Sequence, residues 1–179
     1  MPFVELRRHS LRDPPDEELS AAGRSLAESV GRGVGPFGLI VSSPVRRAVE
    51  TAQAMGYPSP RIDPKWGLAG GDEALKQAWP LSFSAMRELV DRRESTHRLG
   101  TSLLRSVEQM LAAVPRVGGI LVVTHGGLPE VLTVAALPRS DPRPWGGALR
   151  CMEGVRLRFD GTIPRSAEIL RVSDELTRI

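Results

Sequence analysis

The sequence predicts an α/β domain built as a three-layer sandwich, in which helices flank a mostly parallel central sheet. Short apolar runs with the character of buried strands alternate along the chain with longer segments of helical periodicity. The strand candidates are residues 2–6, 38–41 and 120–123, and polar residues follow each of them directly. A length of 179 residues fits a single domain, taken as residues 1–179.

The first half of the chain alternates between strand and helix. Apolar residues keep helical spacing over residues 19–31, where glycines end the pattern. After the second strand, Ser43 is the predicted N-cap, and Pro44 the first residue, of a helix that runs to Met55. Residues 58–71 have the composition of a loop.

The second half begins with a long helical segment. Residues 73–114 are predicted to be mostly helical, with interruptions at Pro80 and Gly100. A further helix is predicted at 129–137, after the third strand. Alternating residues within 155–172, divided by an Asp-Gly turn, predict a terminal β-hairpin.

Composition indicates a soluble globular protein and disfavours several functional classes. Apolar residues make up 41% and charged residues 25% of the chain, and no apolar run approaches the roughly 20 residues of a membrane span. We expect no secretory signal at the start of the chain. The lone Cys151 cannot form an intramolecular disulfide, which favours a reducing, cytoplasmic setting. A net charge of +3 and an aromatic content of 4% give no indication of nucleic-acid binding.

Polar clusters follow the three predicted strands. They are Arg8-His9, residues 42–47 and residues 124–126. Ligands of open α/β sheets bind beyond the carboxyl ends of the strands, so these clusters are the candidate site. Of the three histidines, His9 and His125 lie in these clusters, whereas His97 lies in a charged helical stretch and is predicted to be exposed.

These clusters resemble the motifs of the histidine phosphatase superfamily, also called phosphoglycerate-mutase-like. The matching segments are Leu6-Arg7-Arg8-His9, Leu19-Ser20-Ala21-Ala22-Gly23, Ser42-Ser43-Pro44-Val45-Arg46-Arg47-Ala48-Val49-Glu50-Thr51-Ala52 and Thr124-His125-Gly126-Gly127. They occur in the family's order. Glycine follows the second histidine, which resembles the branch that lacks an Asp at that point; the compact first loop resembles the short SixA-like type.

The resemblance implies a role for each residue of the predicted site. His9 is expected to attack phosphorus and form a phosphohistidine. Arg8 and Arg47 are expected to bind the phosphoryl oxygens, since guanidinium groups present planar forks of donors. His125 is expected to be a third donor and to share in supplying positive charge, with no metal or cofactor required. The motif frame makes Arg46, beside Arg47, a solvated helix residue.

This chain departs from the family pattern at two points. Ser10 stands where glycine usually follows the first histidine, and Leu11 replaces a frequent acidic residue. The resemblance places the general acid of this branch between the second helix and the helices that follow. We select Glu73 narrowly over Asp72, although carboxylates at a helix N-terminus are also common for electrostatic reasons.

The leading hypothesis is a metal-independent phosphatase that acts on a small phosphorylated substrate or a phosphoprotein. Its substrates would be phosphomonoesters or phosphoramidates, the latter including protein phosphohistidine. One alternative is phosphoryl transfer of the phosphoglycerate mutase type. Another is a non-catalytic phosphate-binding module on the same scaffold. We expect neither nucleic-acid nor membrane partners.

Overall fold

The computed structural model describes residues 1–67, 72–113 and 118–173. The strands in these ranges are β1 (Phe3–Arg8), β2 (Phe37–Ser42), β3 (Arg61–Ile62), β4 (Gly119–Thr124), β5 (Gly154–Asp160) and β6 (Ile163–Leu170). The α-helices are α1 (Ala21–Gly31), α2 (Arg46–Ala54), α3 (Glu73–Ala78), α4 (Phe83–Arg92), α5 (Glu94–Ala113) and α6 (Leu128–Ala136). None of these helices is long and apolar enough to cross a bilayer.

The strands form one six-stranded sheet in the order β3-β2-β4-β1-β5-β6. β1, β2, β3 and β4 are mutually parallel, while β5 runs antiparallel to β1. β5 and β6 form the predicted terminal hairpin, in which Val155 pairs with Ile169 and Asp160 pairs with Ile163. The predicted α/β class with a mostly parallel sheet is confirmed.

Helices cover both faces of this sheet, and the central strand β4 shows why. Its six residues are all buried, as expected of a parallel strand enclosed on both sides. Ile120 and Val122 belong to the larger apolar core, together with residues of α4, α5 and α6. Leu121 and Val123 point to the opposite face and join a smaller core with residues of α1 and α2. The sheet is therefore the middle layer of three.

The long helical segment is broken where the sequence predicts it at one point but not at the other. A break separates α3 from α4 around Pro80. The predicted interruption at Gly100 is wrong, because α5 continues through it. A Cβ on Gly100 would lie 2.7 Å from Cβ of Ala135, so glycine permits α5 and α6 to pack closely. The predicted end of this segment, Val114, lies outside the described residues.

Candidate active site

The three polar clusters meet at one edge of the sheet. β4 lies between β1 and β2, so the carboxyl ends of these parallel strands are adjacent. The backbone N–H of His9 donates to the carbonyl of Thr124 at 2.8 Å, and the N–H of Ser43 donates to the carbonyl of Val123 at 2.9 Å. These two bonds continue the backbone pairing of β4 with β1 and β2 just beyond the strand ends. They position His9 and Ser43 beside the end of β4.

His9 is buried, and its ring is oriented by two hydrogen bonds. Arg47 Nε donates to His9 Nε2 at 3.0 Å, and His9 Nδ1 lies 2.8 Å from the carbonyl oxygen of Ser10. A guanidinium can only donate, so Nε2 must be the acceptor and the ring proton must be on Nδ1. The lone pair on Nε2 therefore faces the arginine that is expected to bind phosphate.

The surroundings of His9 keep its ring neutral. The pKa of His9 is lowered to about 4, with burial as the largest cause. The charges of Arg47, Arg8 and Arg12 contribute to this shift, and the hydrogen bond to the Ser10 carbonyl opposes it. The arginine charges disfavour protonation of the ring, but desolvation is the larger cause. A neutral imidazole retains the lone pair that a nucleophile needs.

Ser10, which stands where the family usually has glycine, is accommodated by hydrogen bonds to α1 and α2. Its hydroxyl donates to the carbonyl of Gly23 at 2.6 Å, and its backbone N–H donates to Oγ1 of Thr51 at 3.0 Å. The Ser10 side chain is fully buried between α1 and α2. Gly23 belongs to the Leu-Ser-Ala-Ala-Gly segment, and a Cβ there would lie 2.0 Å from the Leu11 carbonyl oxygen. This segment therefore packs directly against the first loop.

Arg8 is held from two sides. Its Nη1 donates to the carbonyl of Leu149 at 2.9 Å, and its guanidinium carbon lies 4.6 Å from the ring centroid of Trp79. Trp79 also covers Gly126, where an added Cβ would lie 2.4 Å from the indole. Nothing in the local sequence around Trp79 marks it as a site residue, because this contact depends on how α3 and its C-terminal end pack.

Arg47 is buried and lies at the first turn of α2. Besides its bond to His9, its Nη1 donates to the carboxylate of Glu17 in the first loop. Glu17 is 58% exposed and also lies 4.0 Å from Arg12. The sequence analysis missed Glu17, since no spacing rule connects that loop to α2. The carboxylate occupies one arm of a guanidinium that is expected to bind phosphate.

The arginines adjacent in sequence to Arg8 and Arg47 pair with carboxylates outside the site. Arg46 is 60% exposed and pairs with Glu50 at 2.9 Å, which matches its predicted place on the solvated face of α2. Arg7 is buried on β1 and pairs with Glu5 at 2.6 Å. Arg46 and Arg7 thus pair with carboxylates, whereas Arg47 of α2 hydrogen-bonds to His9.

His125 packs beside His9, with ring centroids 5.3 Å apart. Its Nε2 lies 2.7 Å from Oγ of Ser43, while its buried Nδ1 has no hydrogen-bond partner among the described residues. Burial lowers the pKa of His125 to about 3, and the neighbouring His9, Arg47 and Arg8 contribute. The lowered pKa favours a neutral ring in this state, and a neutral ring can still donate one hydrogen bond. The contribution of positive charge by His125 stays a prediction.

Ser43 does not cap the helix as predicted. α2 begins at Arg46, and its N-cap is Val45, which makes no side-chain capping bond. The Ser43 hydroxyl instead bonds to His125 and accepts from the N–H of Val45 at 3.2 Å. The prediction fails because a tertiary partner holds the hydroxyl and the chain turns for two more residues before the helix begins.

The two candidate acids differ in burial. Glu73 is 68% exposed and lies 3.5 Å from Lys76. Asp72 is buried: its Oδ1 caps α3 by accepting from the N–H of Leu75, and its Oδ2 has no partner among the described residues. Leu75 also lies against Gly127, which brings this part of α3 near the His125 segment. Residues 68–71, which precede Asp72, lie outside the described residues. Glu73 stays a prediction, and Asp72 is the more buried of the two carboxylates.

A family model identifies the family to which this chain belongs. A model of the histidine phosphatase superfamily (branch 1) matches residues 5–168, and the chain belongs to that family. A comparison with curated protein sequences found no match. Within the described residues, no group of three or more His, Cys, Asp or Glu side chains is arranged to hold a metal ion.

Solved structures of phosphatases share the fold. A mycobacterial glucosyl-3-phosphoglycerate phosphatase in complex with VO3 matches with a TM-score of 0.69 at 23% identity, covering 96% of this chain and 99% of the other. A phosphoserine phosphatase from Entamoeba histolytica in complex with 3-phosphoglyceric acid matches with a TM-score of 0.60 at 18% identity, covering 96% and 98%. At these identities the likeness shows a shared fold, and the assignment to the histidine phosphatase superfamily rests on the family model.

Proposed function

We propose that this protein hydrolyses phosphomonoesters or phosphoramidates through a phosphohistidine on Nε2 of His9, without a metal ion. The observation that supports this most directly is the state of His9. Its ring proton lies on Nδ1, and its free Nε2 faces Arg47. A phosphoryl group placed there meets a neutral nucleophile beside guanidinium donors, which is what in-line phosphoryl transfer requires.

The first step forms the phosphoenzyme. The phosphate oxygens take over the Arg47 donor that now points at His9, and Arg8 and His125 bind the other oxygens. The Nε2 lone pair attacks phosphorus, and the bond from phosphorus to the leaving oxygen or nitrogen breaks. A carboxyl group, Asp72 or Glu73, protonates the leaving atom.

The second step restores the enzyme. Water attacks the phosphohistidine and gives up a proton to the same carboxylate. The bond from phosphorus to Nε2 breaks, and inorganic phosphate leaves. The carbonyl of Ser10 accepts from Nδ1 and stabilises the positive charge that develops on the ring when Nε2 becomes bonded to phosphorus.

The test combines turnover with trapping. Release of phosphate from an aryl phosphate is measured with and without a chelator. The enzyme is also quenched in alkaline denaturant and examined for an acid-labile, alkali-stable phosphoryl group. We expect chelator-insensitive turnover and a trapped phosphoenzyme, both lost in His9→Ala. His97→Ala, which removes an exposed histidine, is the matched control and should behave as wild type. A phosphoenzyme that persists in His9→Ala would contradict the proposal.

A further inference from the structure

Glu130 is a fully buried carboxylate beside the proposed site that the chemistry above does not use. It lies in the first turn of α6, five residues after His125. One oxygen accepts from the N–H of Gly127 at 2.9 Å, and the other accepts from the N–H of Leu149 at 3.0 Å. A carboxylate in the core is costly unless its oxygens are bonded, and here both are.

The two backbone groups that Glu130 holds belong to different parts of the site. Gly127 ends the short segment that follows His125, and its positive φ of 93° lets the chain turn into α6. Leu149 precedes β5, and its carbonyl accepts from Arg8 Nη1 at 2.9 Å. Leu149 thus donates its N–H to Glu130 and accepts at its carbonyl from Arg8. A shift of Leu149 would displace the guanidinium.

Burial and hydrogen bonding act in opposite directions on the charge of Glu130, and burial is the larger effect. Burial raises the pKa of Glu130, whereas the amide donors from Leu149 and Gly127 and the charge of Arg8 oppose that rise. The N-terminus of α6 also favours negative charge. A neutral glutamine would lack this complementarity, and its NH₂ group would face one of the two backbone N–H groups.

We infer that Glu130 is a positioning residue that connects the His125 segment to Leu149 and thereby sets the position of Arg8 for phosphate binding. The inference rests on the proposed function only in that Arg8 binds the phosphoryl group. Glu130 itself does not touch the substrate. Removing it should misplace Arg8 and weaken binding of a phosphate or vanadate ion, even in a folded protein.

The experiment is a double-mutant cycle with Arg8, read out by vanadate binding. Glu130→Gln should weaken vanadate binding about 10- to 100-fold, since small displacements of site groups are costly. Arg8→Ala should also weaken it, and Glu130→Gln combined with Arg8→Ala should be no worse than Arg8→Ala alone. Losses that multiply in the double variant, or wild-type vanadate affinity in folded Glu130→Gln, would overturn the inference.

A matched control separates positioning from general loss of stability. Glu5 is also fully buried, but it pairs with Arg7 and Arg156. Glu5→Gln should lower the melting temperature while keeping vanadate affinity, and an equal loss of affinity there would count against a specific role for Glu130. If Glu130→Gln does not fold, Glu130→Asp serves instead, because a side chain one methylene shorter cannot span both N–H groups.

Vanadate binding needs no turnover, so this test is separable from the proposed function. Wild-type enzyme that binds vanadate but releases no phosphate would contradict the proposed function and leave the cycle interpretable. A change in the Glu130 variants that appears only in the melting temperature, with no change in vanadate affinity, would overturn the inference while the proposed function stands.

Discussion

At the scale of single residues, side chains of the same type lie in different environments and have different predicted roles. Arg47 is buried against His9, while its neighbour Arg46 pairs with Glu50 on the surface. Burial lowers the pKa of both His9 and His125, yet Nε2 of His9 accepts from Arg47 whereas Nε2 of His125 lies against the Ser43 hydroxyl. Environment rather than residue identity sets these roles, so paired substitutions test them directly.

The two adjacent arginines of α2 give the first prediction. Arg47→Ala should lower kcat/KM about 10²- to 10³-fold, because it removes a preorganised donor to the transferring group. Arg47→Lys should not restore activity, since an ammonium cannot reproduce the planar fork. Arg46→Ala is the control and should change kcat/KM little. Steady-state kinetics on an aryl phosphate decide the matter, and equal losses at both positions would show that the assignment of Arg47 is wrong.

The second prediction concerns the proton donor. Asp72→Asn should slow the hydrolysis of alkyl phosphates about 10²- to 10⁴-fold. The hydrolysis of nitrophenyl phosphate should slow far less, because its leaving group hardly needs a proton. Its burial at the start of α3 is the reason to expect this of Asp72. Glu73→Gln is the comparison variant. If it alone shows the leaving-group dependence, the exposed Glu73 carboxyl must reach the site in the substrate complex, as the sequence predicts.

The third prediction concerns pH. Because the pKa of His9 is lowered to about 4 and that of His125 to about 3, both folded rings should stay neutral well below the ordinary histidine value of about 6.5. The unfolded rings bind protons first as pH falls, so these groups stabilise the fold fully above about pH 6.5 and lose that contribution as pH falls towards 4. Ring carbon chemical shifts, assigned with His9→Ala and His125→Ala, follow the titration. A midpoint near 6.5 for either ring would contradict it.

At the scale of elements, the parts that the sequence could predict are those encoded locally. The apolar run of β4 and the helical spacing of α1 need no partner to be identified. The continuity of α5 through Gly100 could not be predicted, because it depends on Ala135 in another helix. The bond of Glu130 to Leu149 joins residues far apart in sequence for the same reason. Local pattern thus located the strand-end clusters but not the contacts that fix them.

The first loop carries the fourth prediction, because Glu17 occupies an arm of Arg47. A phosphate must displace this carboxylate and overcome its repulsion. Glu17→Gln should therefore strengthen vanadate and phosphate inhibition several-fold, since it removes the like charge. Glu18→Gln is the control, because Glu18 pairs with the exposed Arg46. Weaker inhibition in Glu17→Gln would show that Glu17 serves to hold Arg47 in place.

At the scale of the whole molecule, the strand order of the sheet brings segments that are distant in sequence together at one site. β4 lies between β1 and β2, so segments more than 30 residues apart in sequence end side by side. The His9, Arg47 and His125 contacts depend on this order. The carboxyl ends of parallel strands lie at one edge of the sheet, so polar clusters that are separate in the sequence belong to one site.

The fifth prediction is that the enzyme releases phosphate and does not isomerise phosphoglycerate. A mutase must protect its phosphohistidine from water and retain a bisphosphate intermediate, which requires an enclosing loop. In this chain the loop after His9 is short, Ser10 is turned towards Gly23, and Glu17 at its far end is mostly exposed. A short loop has few residues with which to enclose the phosphoenzyme and exclude water. The measurement compares isomerisation of 3-phosphoglycerate, with bisphosphoglycerate primer present, against release of inorganic phosphate from the same substrate. Isomerisation that is much faster than phosphate release would establish a mutase, and the loop would then have to close over the substrate.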